Sequence, residues 1–337
     1  MKRRTVLFLI ALLVLAMALI AATRLADHDL SARQSEPFAF SSGDNELDGT
    51  LWLPDVPMEA AIVLVHGDGP ADRLAGDALA LFINAMLNAG IAVASWDKPG
   101  IGGSTGEWLS QSMEDRAVET AAALQALQDR LPNAQVGALG FSQAGWVVPK
   151  LTAEDADFLV LVGPAVSWQQ QGDYYTRTRL ERSGLGLSPA EIEAALAVET
   201  ERDERLFGPN AIYDRAALTD EMSEARWGFV QRNRLVDAGP DLRQLSLPLL
   251  AVWGANDLNV DAQHDAAAYE AALADRQEAT RLHVVPDATH GLLKAGPYNY
   301  QLPSHWSWIA KLRFIWEGRE AYAPGALGLI TDWIAAR

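Results

Sequence analysis

Gly140-Phe141-Ser142-Gln143-Ala144-Gly145 is the stretch on which the fold of this chain turns. Residues 135–139 before it are apolar and of strand length, and residues 143–152 after it have a helical pattern. A serine between a strand and a helix, with small neighbours, sits in a sharp and strained turn that exposes its hydroxyl. The neighbours must be small because the backbone comes close to colliding with itself there. Ala144 stands where the G-x-S-x-G pattern has glycine, and it keeps the space small. Without the strand and helix around it, this would be an ordinary loop serine.

The sequence on either side supplies that setting. Residues 60–65, 91–96, 158–162, 247–253 and 281–285 are further short apolar runs, each ending at or near glycine or proline. Such runs suit buried parallel strands with ligand-facing loops at their C-terminal ends. Residues 37–40 and 47–53 alternate around Ser41-Ser42-Gly43-Asp44-Asn45, the pattern of a hairpin. Helical patterns over 74–89, 112–130, 143–152, 261–275 and 326–336 lie between the runs. The alternation predicts an α/β fold: a doubly wound, mostly parallel eight-stranded sheet with an antiparallel hairpin at one edge. It breaks once, over 165–246, where Ser188-Pro189-Ala190-Glu191 reads as a capping box and 219–236 as a helix. A helical insert leaving the sheet after the sixth strand would form a lid over the strand ends. The core is then 37–164 with 247–337, and 296–325 is an irregular stretch holding Trp306, Trp308 and Trp316.

The N-terminus stands apart. Lys2-Arg3-Arg4 precedes a run from Val6 to Ala22 with no polar residue. A basic flank before an apolar stretch reads as a signal peptide or a membrane anchor, here residues 1–24, with 25–36 as a polar linker. Seventeen helical residues reach about 26 Å, slightly under a hydrocarbon core, and Arg24 could snorkel to close the gap. Ala16-Met17-Ala18, a small-residue cleavage pattern, lies inside the run. Either reading sends the remainder out of the cytoplasm. The alternative is a buried core helix.

Composition narrows the classes further. The chain has 337 residues, 49% of them hydrophobic and 21% charged, enough for a sizeable core. It has no cysteine, which excludes disulfides, thiol catalysis, cysteine-ligated zinc and iron–sulfur clusters. The net charge is −17, and the only basic cluster is at residues 2–4, so nucleic acid is not an expected partner. Without residues 1–24, which hold four basic side chains and no acid, the balance is 23 basic against 44 acidic, a net −21. Anionic head groups repel such a body, so membrane attachment is expected only through residues 6–22.

With these motifs assembled, the chain resembles an α/β-hydrolase. Val65-His66-Gly67-Asp68-Gly69-Pro70-Ala71-Asp72-Arg73 is similar to the H-G-x-G-P-x-D-R element of a bacterial serine-esterase branch. Asp97-Lys98-Pro99-Gly100, Trp253-Gly254-Ala255-Asn256-Asp257 and Asp287-Ala288-Thr289-His290-Gly291 support the resemblance, which runs from about residue 37 to the end. It implies a triad in the chain order serine, acid, histidine. Of six histidines, His28 lies in the linker, His66 ends a strand, His264 is on a helix, His283 is in a strand and His305 is in the irregular stretch. His290 follows the last strand, where it can reach Ser142. Asp257 follows the seventh strand and would fix the imidazole tautomer. Asp261 reads as a helix cap. The Asp-x-Asn-x-Asp spacing of 257–261 lacks the glycine and distal glutamate of a calcium loop, so no metal is expected.

The oxyanion hole needs two backbone N–H groups. One is expected from Gln143, after the nucleophile, and the other, by family position, from Asp68, with Gly67 as the fallback. The Asp68 carboxylate must turn away from an oxyanion, toward Arg73 or Lys98, and Asp72-Arg73 reads as a salt bridge ordering the loop. The expected enzyme is a serine hydrolase that cleaves carboxylic esters through an acyl-enzyme, without a cofactor. Its expected partner is a small-molecule ester with an apolar acyl or alkyl part. Peptide or amide hydrolysis and acyl transfer use the same constellation, and a catalytically silent binding protein is the alternative of another class.

Overall fold

Buried apolar runs and the glycines that end them build the sheet. The computed structural model describes residues 2–218, 222–276 and 279–337; the side chains at 2–6, 10, 11, 14 and 18 lie outside the described ones. The strands are β1 (Ser35–Ser42), β2 (Asn45–Trp52), β3 (Ala60–Val65), β4 (Ile91–Trp96), β5 (Gln135–Phe141), β6 (Phe158–Val162), β7 (Leu249–Gly254) and β8 (Thr280–Val285). They form one sheet in the order β1-β2-β4-β3-β5-β6-β7-β8. β1 and β2 are an antiparallel hairpin, β2 joins β4 antiparallel, and every other pairing is parallel. β3, β4, β6 and β7 are buried at every position, as strands covered on both faces must be.

The helices are α1 (Lys2–Ala26), α2 (Ala80–Asn88), α3 (Met113–Arg130), α4 (Trp168–Glu181), α5 (Pro189–Phe207), α6 (Glu224–Asn233), α7 (Gly239–Gln244), α8 (Ala262–Ala272), α9 (Ala295–Tyr298), α10 (Trp308–Glu317) and α11 (Ala326–Ala335). The two-residue period of β3 divides its side chains between two layers. Ala61, Val63 and Val65 share a core with Ala123, Leu124 and Leu127 of α3 and with Tyr269 of α8. Ala60, Ile62 and Leu64 pack with Phe82, Ile83 and Met86 of α2 and with Ile330 and Ile334 of α11. Both layers leave the C-terminal ends of β5, β6 and β7 open to loops.

Four expectations need adjustment. The helix expected over 74–89 begins only at Ala80, because Ala75, Gly76 and Asp77 have positive φ and cannot extend it. Residues 143–152 are two short 3-10 turns, Ser142–Trp146 and Val148–Lys150, rather than an α-helix. The helix expected over 219–236 is α6, and residues 219–221 lie outside the described ones. Finally, 25–36 is ordered rather than a free linker: α1 runs through Ala26, Leu30 is buried, and Arg33 bonds Asn84, Asn88 and Asp55. Among the described residues no helix is long and apolar enough to cross a membrane.

Candidate active site

Ser142 stands at the end of β5 with φ +51°, left-handed backbone that costs an L-residue about 1–2 kcal/mol. Close packing holds it there. A Cβ on Gly140 would lie 2.7 Å from the Ala144 methyl and 2.9 Å from Val148 Cγ2. One on Gly145 would lie 2.6 Å from Pro164 Cβ. Ala144 is fully buried, so its methyl fills the space against Gly140, and the departure from glycine is absorbed at that point.

Asp257 follows β7. Its buried carboxylate accepts from the backbone N–H of Asn259 (2.7 Å) and Val260 (3.0 Å) through Oδ1, and Oδ2 lies 2.7 Å from His290 Nδ1. The Asp-x-Asn-x-Asp spacing is therefore a turn closed on its first carboxylate, and Asp261 caps α8 through His264 N–H. His290 lies in the loop after β8. Burial pulls its pKa down, but the charge and hydrogen bond of Asp257 outweigh this and raise it above the ordinary 6.5.

The imidazole sits over the end of β6. A Cβ on Gly163 would come within 2.9 Å of His290 Nδ1 and Cε1, so the ring occupies the place of a side chain there. Phe141 pairs with Val162, so Ser142 and Gly163 stand on adjoining strand ends, about 4.8 Å apart in the direction of pairing. The structure thus joins Asp257 to His290, and it sets Ser142 on the strand end adjoining the glycine that the His290 ring covers; Ser142 Oγ makes no hydrogen bond among the described residues. Gly163→Ala should displace the ring and lower kcat/KM about 10²-fold. Its unfolding free energy should fall by at least about 1–2 kcal/mol from the left-handed residue, with the displaced ring adding to that. Steady-state kinetics with urea titration of the same variant checks both.

The loop after β3 is set by two buried basic side chains. Arg116, on the inner face of α3, donates to His66 O (2.6 Å) and to Gln143 Oε1 (2.6 Å). Lys98 donates through Nζ to Gly67 O (2.6 Å) and Gly69 O (2.8 Å). In a trans peptide the N–H points opposite to the preceding C=O. Arg116 therefore aims the N–H of Gly67, and Lys98 aims that of Asp68. Gly67 adjoins the serine: a Cβ on it would lie 3.3 Å from Ser142 Cβ. His66 is structural, with Nε2 3.1 Å from Trp96 O and a pKa pushed down to about 3 by burial and the nearby Lys98 charge.

Two expectations for this loop are corrected. The Asp68 carboxylate does turn aside, but to Arg226 of α6 (3.0 and 2.8 Å) and Gln143 Nε2 (3.0 Å) rather than Arg73 or Lys98. Asp72 and Arg73 do not pair. Asp72 closes a local turn through Leu74 N and Gly76 N, while Arg73 reaches across the loop to Asp97 and Asp48. A guanidinium can bridge two strand ends where a neighbouring carboxylate cannot, and this bridge orders the loop.

The model of the family described as serine aminopeptidase, S33, matches residues 56–295. The chain belongs to that family of α/β-hydrolases. Among curated proteins none matches the sequence. In structure the chain is similar to a thermostable carboxyl esterase from Bacillus coagulans, at 16% identity over 90% of this chain and 99% of that one, TM-score 0.54. It is also similar to a proline iminopeptidase from Mycobacterium smegmatis (14%, 89% and 98%, 0.53) and an esterase from Pyrococcus furiosus (15%, 77% and 84%, 0.52). The chain is a serine hydrolase of the α/β fold, and at these identities the solved structures speak for the fold alone.

In this hydrolase a cavity of about 410 Å³ adjoins Ser142. Its wall includes Trp146 and Val260 from the core, and Trp168, Gln171 and Tyr175 of α4 with Arg226 of α6 from the insert. The wall is mixed rather than apolar throughout, since Asp68, Gln143, Gln171, Thr176 and Arg226 also line it. Of the insert's other aromatics, Phe207 and Phe229 are buried, Tyr213 meets Trp227 edge-on, and Tyr174 donates to Asp257 O (2.8 Å). Arg116 and Arg226 went unnoticed in the sequence. Arg116 could have been found, because it lies one helical turn before Thr120 and two before Ala123 on the apolar face of α3. Nothing in the sequence marks Arg226.

Proposed function

We propose that this hydrolase cleaves carboxylic esters outside the cytoplasm, with Ser142 as nucleophile, His290 as base and Asp257 as the group that orients the base. Ser142 Oγ attacks the ester carbonyl while its proton passes to His290 Nε2. The tetrahedral oxyanion is held by the N–H groups of Gln143 and Asp68. It collapses to the acyl-enzyme as the alcohol leaves with that proton, and water then repeats the sequence to release the acid. The observation that carries this reading is the Asp257–His290 pair over the end of β6, with a serine in left-handed backbone at the end of the adjoining β5. Asp68 is the acidic residue in the cavity wall, and Arg226 already neutralises it bidentately. A substrate's free amino group would find no uncompensated carboxylate among those lining residues, which favours neutral esters over aminopeptidase substrates. The test compares p-nitrophenyl esters with aminoacyl anilides; faster turnover of the anilides would overturn the ester reading.

The base must be neutral to accept the proton. Because Asp257 raises the His290 pKa, the neutral fraction grows only as pH climbs above the ordinary 6.5. The acid limb of kcat/KM should therefore lie above pH 6.5, and a limb below it would contradict the Asp257–His290 assignment.

The insert, in this reading, is a lid that measures the acyl chain against Trp168 and Tyr175. Each methylene buried is worth about 0.8 kcal/mol, so kcat/KM should rise about fourfold per methylene and then stop. Trp168→Ala or Tyr175→Ala should move the break to longer chains. A profile from acetyl to dodecanoyl that neither substitution alters would show that the insert does not select the substrate.

A further inference from the structure

We propose that α10 lies in the head-group layer of a lipid bilayer beside α1, an inference that rests on reading residues 6–22 as a membrane anchor. The sequence of α10, Trp308-Ile309-Ala310-Lys311-Leu312-Arg313-Phe314-Ile315-Trp316-Glu317, places Trp308, Ile309, Leu312, Ile315 and Trp316 within one arc of the helix. All five are exposed; Trp308 is 70%, Leu312 57% and Trp316 53% accessible. Ala310 on the opposite side is buried, and Phe314 packs with Tyr298 and Trp306. Lys311 and Arg313 fall on the two borders of the apolar arc, where long side chains can lay their stems on lipid and keep their charges in water.

A bilayer is the occupant because of what stands next to this face. α1 is joined to the C-terminal end of α10: Arg24 bonds Glu320 (2.8 Å) and Glu317 O (3.2 Å), Asp27 receives Arg319 Nε (2.8 Å), and His28 meets Ile315 O (3.2 Å). Beyond that joint the helix is 25 residues and about 37 Å long in all, and among its described side chains Leu12, Leu13, Leu15, Met17, Leu19 and Ile20 are exposed. Leu7, Phe8 and Leu9 point in three directions 100° apart, and all are exposed. A protein partner would need one apolar stripe, whereas a helix apolar all round suits surroundings that are apolar on every side. A bilayer that takes up α1 must meet α10 where α1 leaves the body. Trp308 and Trp316 supply the indole rings that favour the interface. This contact does not depend on charge, so the acidic body does not prevent it on a zwitterionic surface.

The chain contains no cysteine, so single cysteines can be introduced into the full-length protein and spin-labelled. The labels go at Ile309→Cys and Leu312→Cys, with Val118→Cys on the outer face of α3 as the reference, in phosphatidylcholine vesicles. Relaxation by oxygen, relative to a water-soluble nickel chelate, should rise several-fold at 309 and 312 over 118. A second readout needs no label: quenching of tryptophan fluorescence by shallow brominated lipids should fall in the Trp308→Phe/Trp316→Phe double variant. Equal relaxation ratios at all three sites would overturn the proposal. So would dipolar broadening between copies at 312 without a rise in oxygen access, since a second copy would then cover the face.

Discussion

Ser142→Ala or His290→Ala is expected to lower kcat for ester hydrolysis by up to about a millionfold, and Asp257→Asn by about 10⁴. In the proposed mechanism alanine at 142 removes the attacking oxygen, and alanine at 290 removes the acceptor of its proton. Asparagine at 257 can still meet His290 Nδ1, 2.7 Å away, but it offers no charge to stabilise the imidazolium and permits the wrong tautomer. The three act as one unit, so a double variant should be hardly slower than the worse single one. The residual rate then reports the oxyanion hole and substrate binding. Stopped-flow acylation with active-site titration measures this, and near-normal turnover by any single variant would remove that residue from the triad.

The next largest effect is expected from a residue that need not touch substrate. Lys98→Met keeps length and bulk but removes the donor to Gly67 O and Gly69 O. With Gly67 O released, the peptide that carries the Asp68 N–H is free to rotate out of line. Loss of one such donor costs about 10²–10³ in kcat. KM should stay close to normal, because Lys98 does not itself line the cavity. Two carbonyls also lose their partner, at about 1–3 kcal/mol of stability each if no water replaces it. The structural and positioning roles separate in one measurement. If Lys98 only supports the fold, kcat per fluorophosphonate-labelled site will be normal and only the number of sites will fall. If it aims the N–H, every labelled site will be slow.

The middle of the sheet was legible because its strands obey a simple rule: apolar on both faces and stopped at or near glycine or proline at the loop. β3, β4 and β6 begin and end where the apolar runs do. The loops bearing Ser142, Asp257 and His290 could be read from their places after β5, β7 and β8, and the structure joins the second to the third. Backbone strain was less legible. Three successive residues with positive φ at 75–77 delay α2, although the apolar pattern continues through them. Long-range polar partners were the least legible. Arg73 beside Asp72 suggests a local pair, yet the fold brings Asp97 and Asp48 within reach, and a charge prefers the partner that can be approached on two sides. Arg226 pairs with a residue 158 positions away, which no local pattern encodes.

That Arg226–Asp68 pair makes the insert part of the electrostatics of the reaction. With α6 seated, the Asp68 carboxylate is held between a guanidinium and the Gln143 amide, and the backbone N–H beside it can serve a negative charge. Withdraw α6, and the same residue presents an unshielded anion where negative charge must grow. In the proposed reaction the insert therefore does more than bound the cavity: its Arg226 offsets a carboxylate that would otherwise oppose the oxyanion.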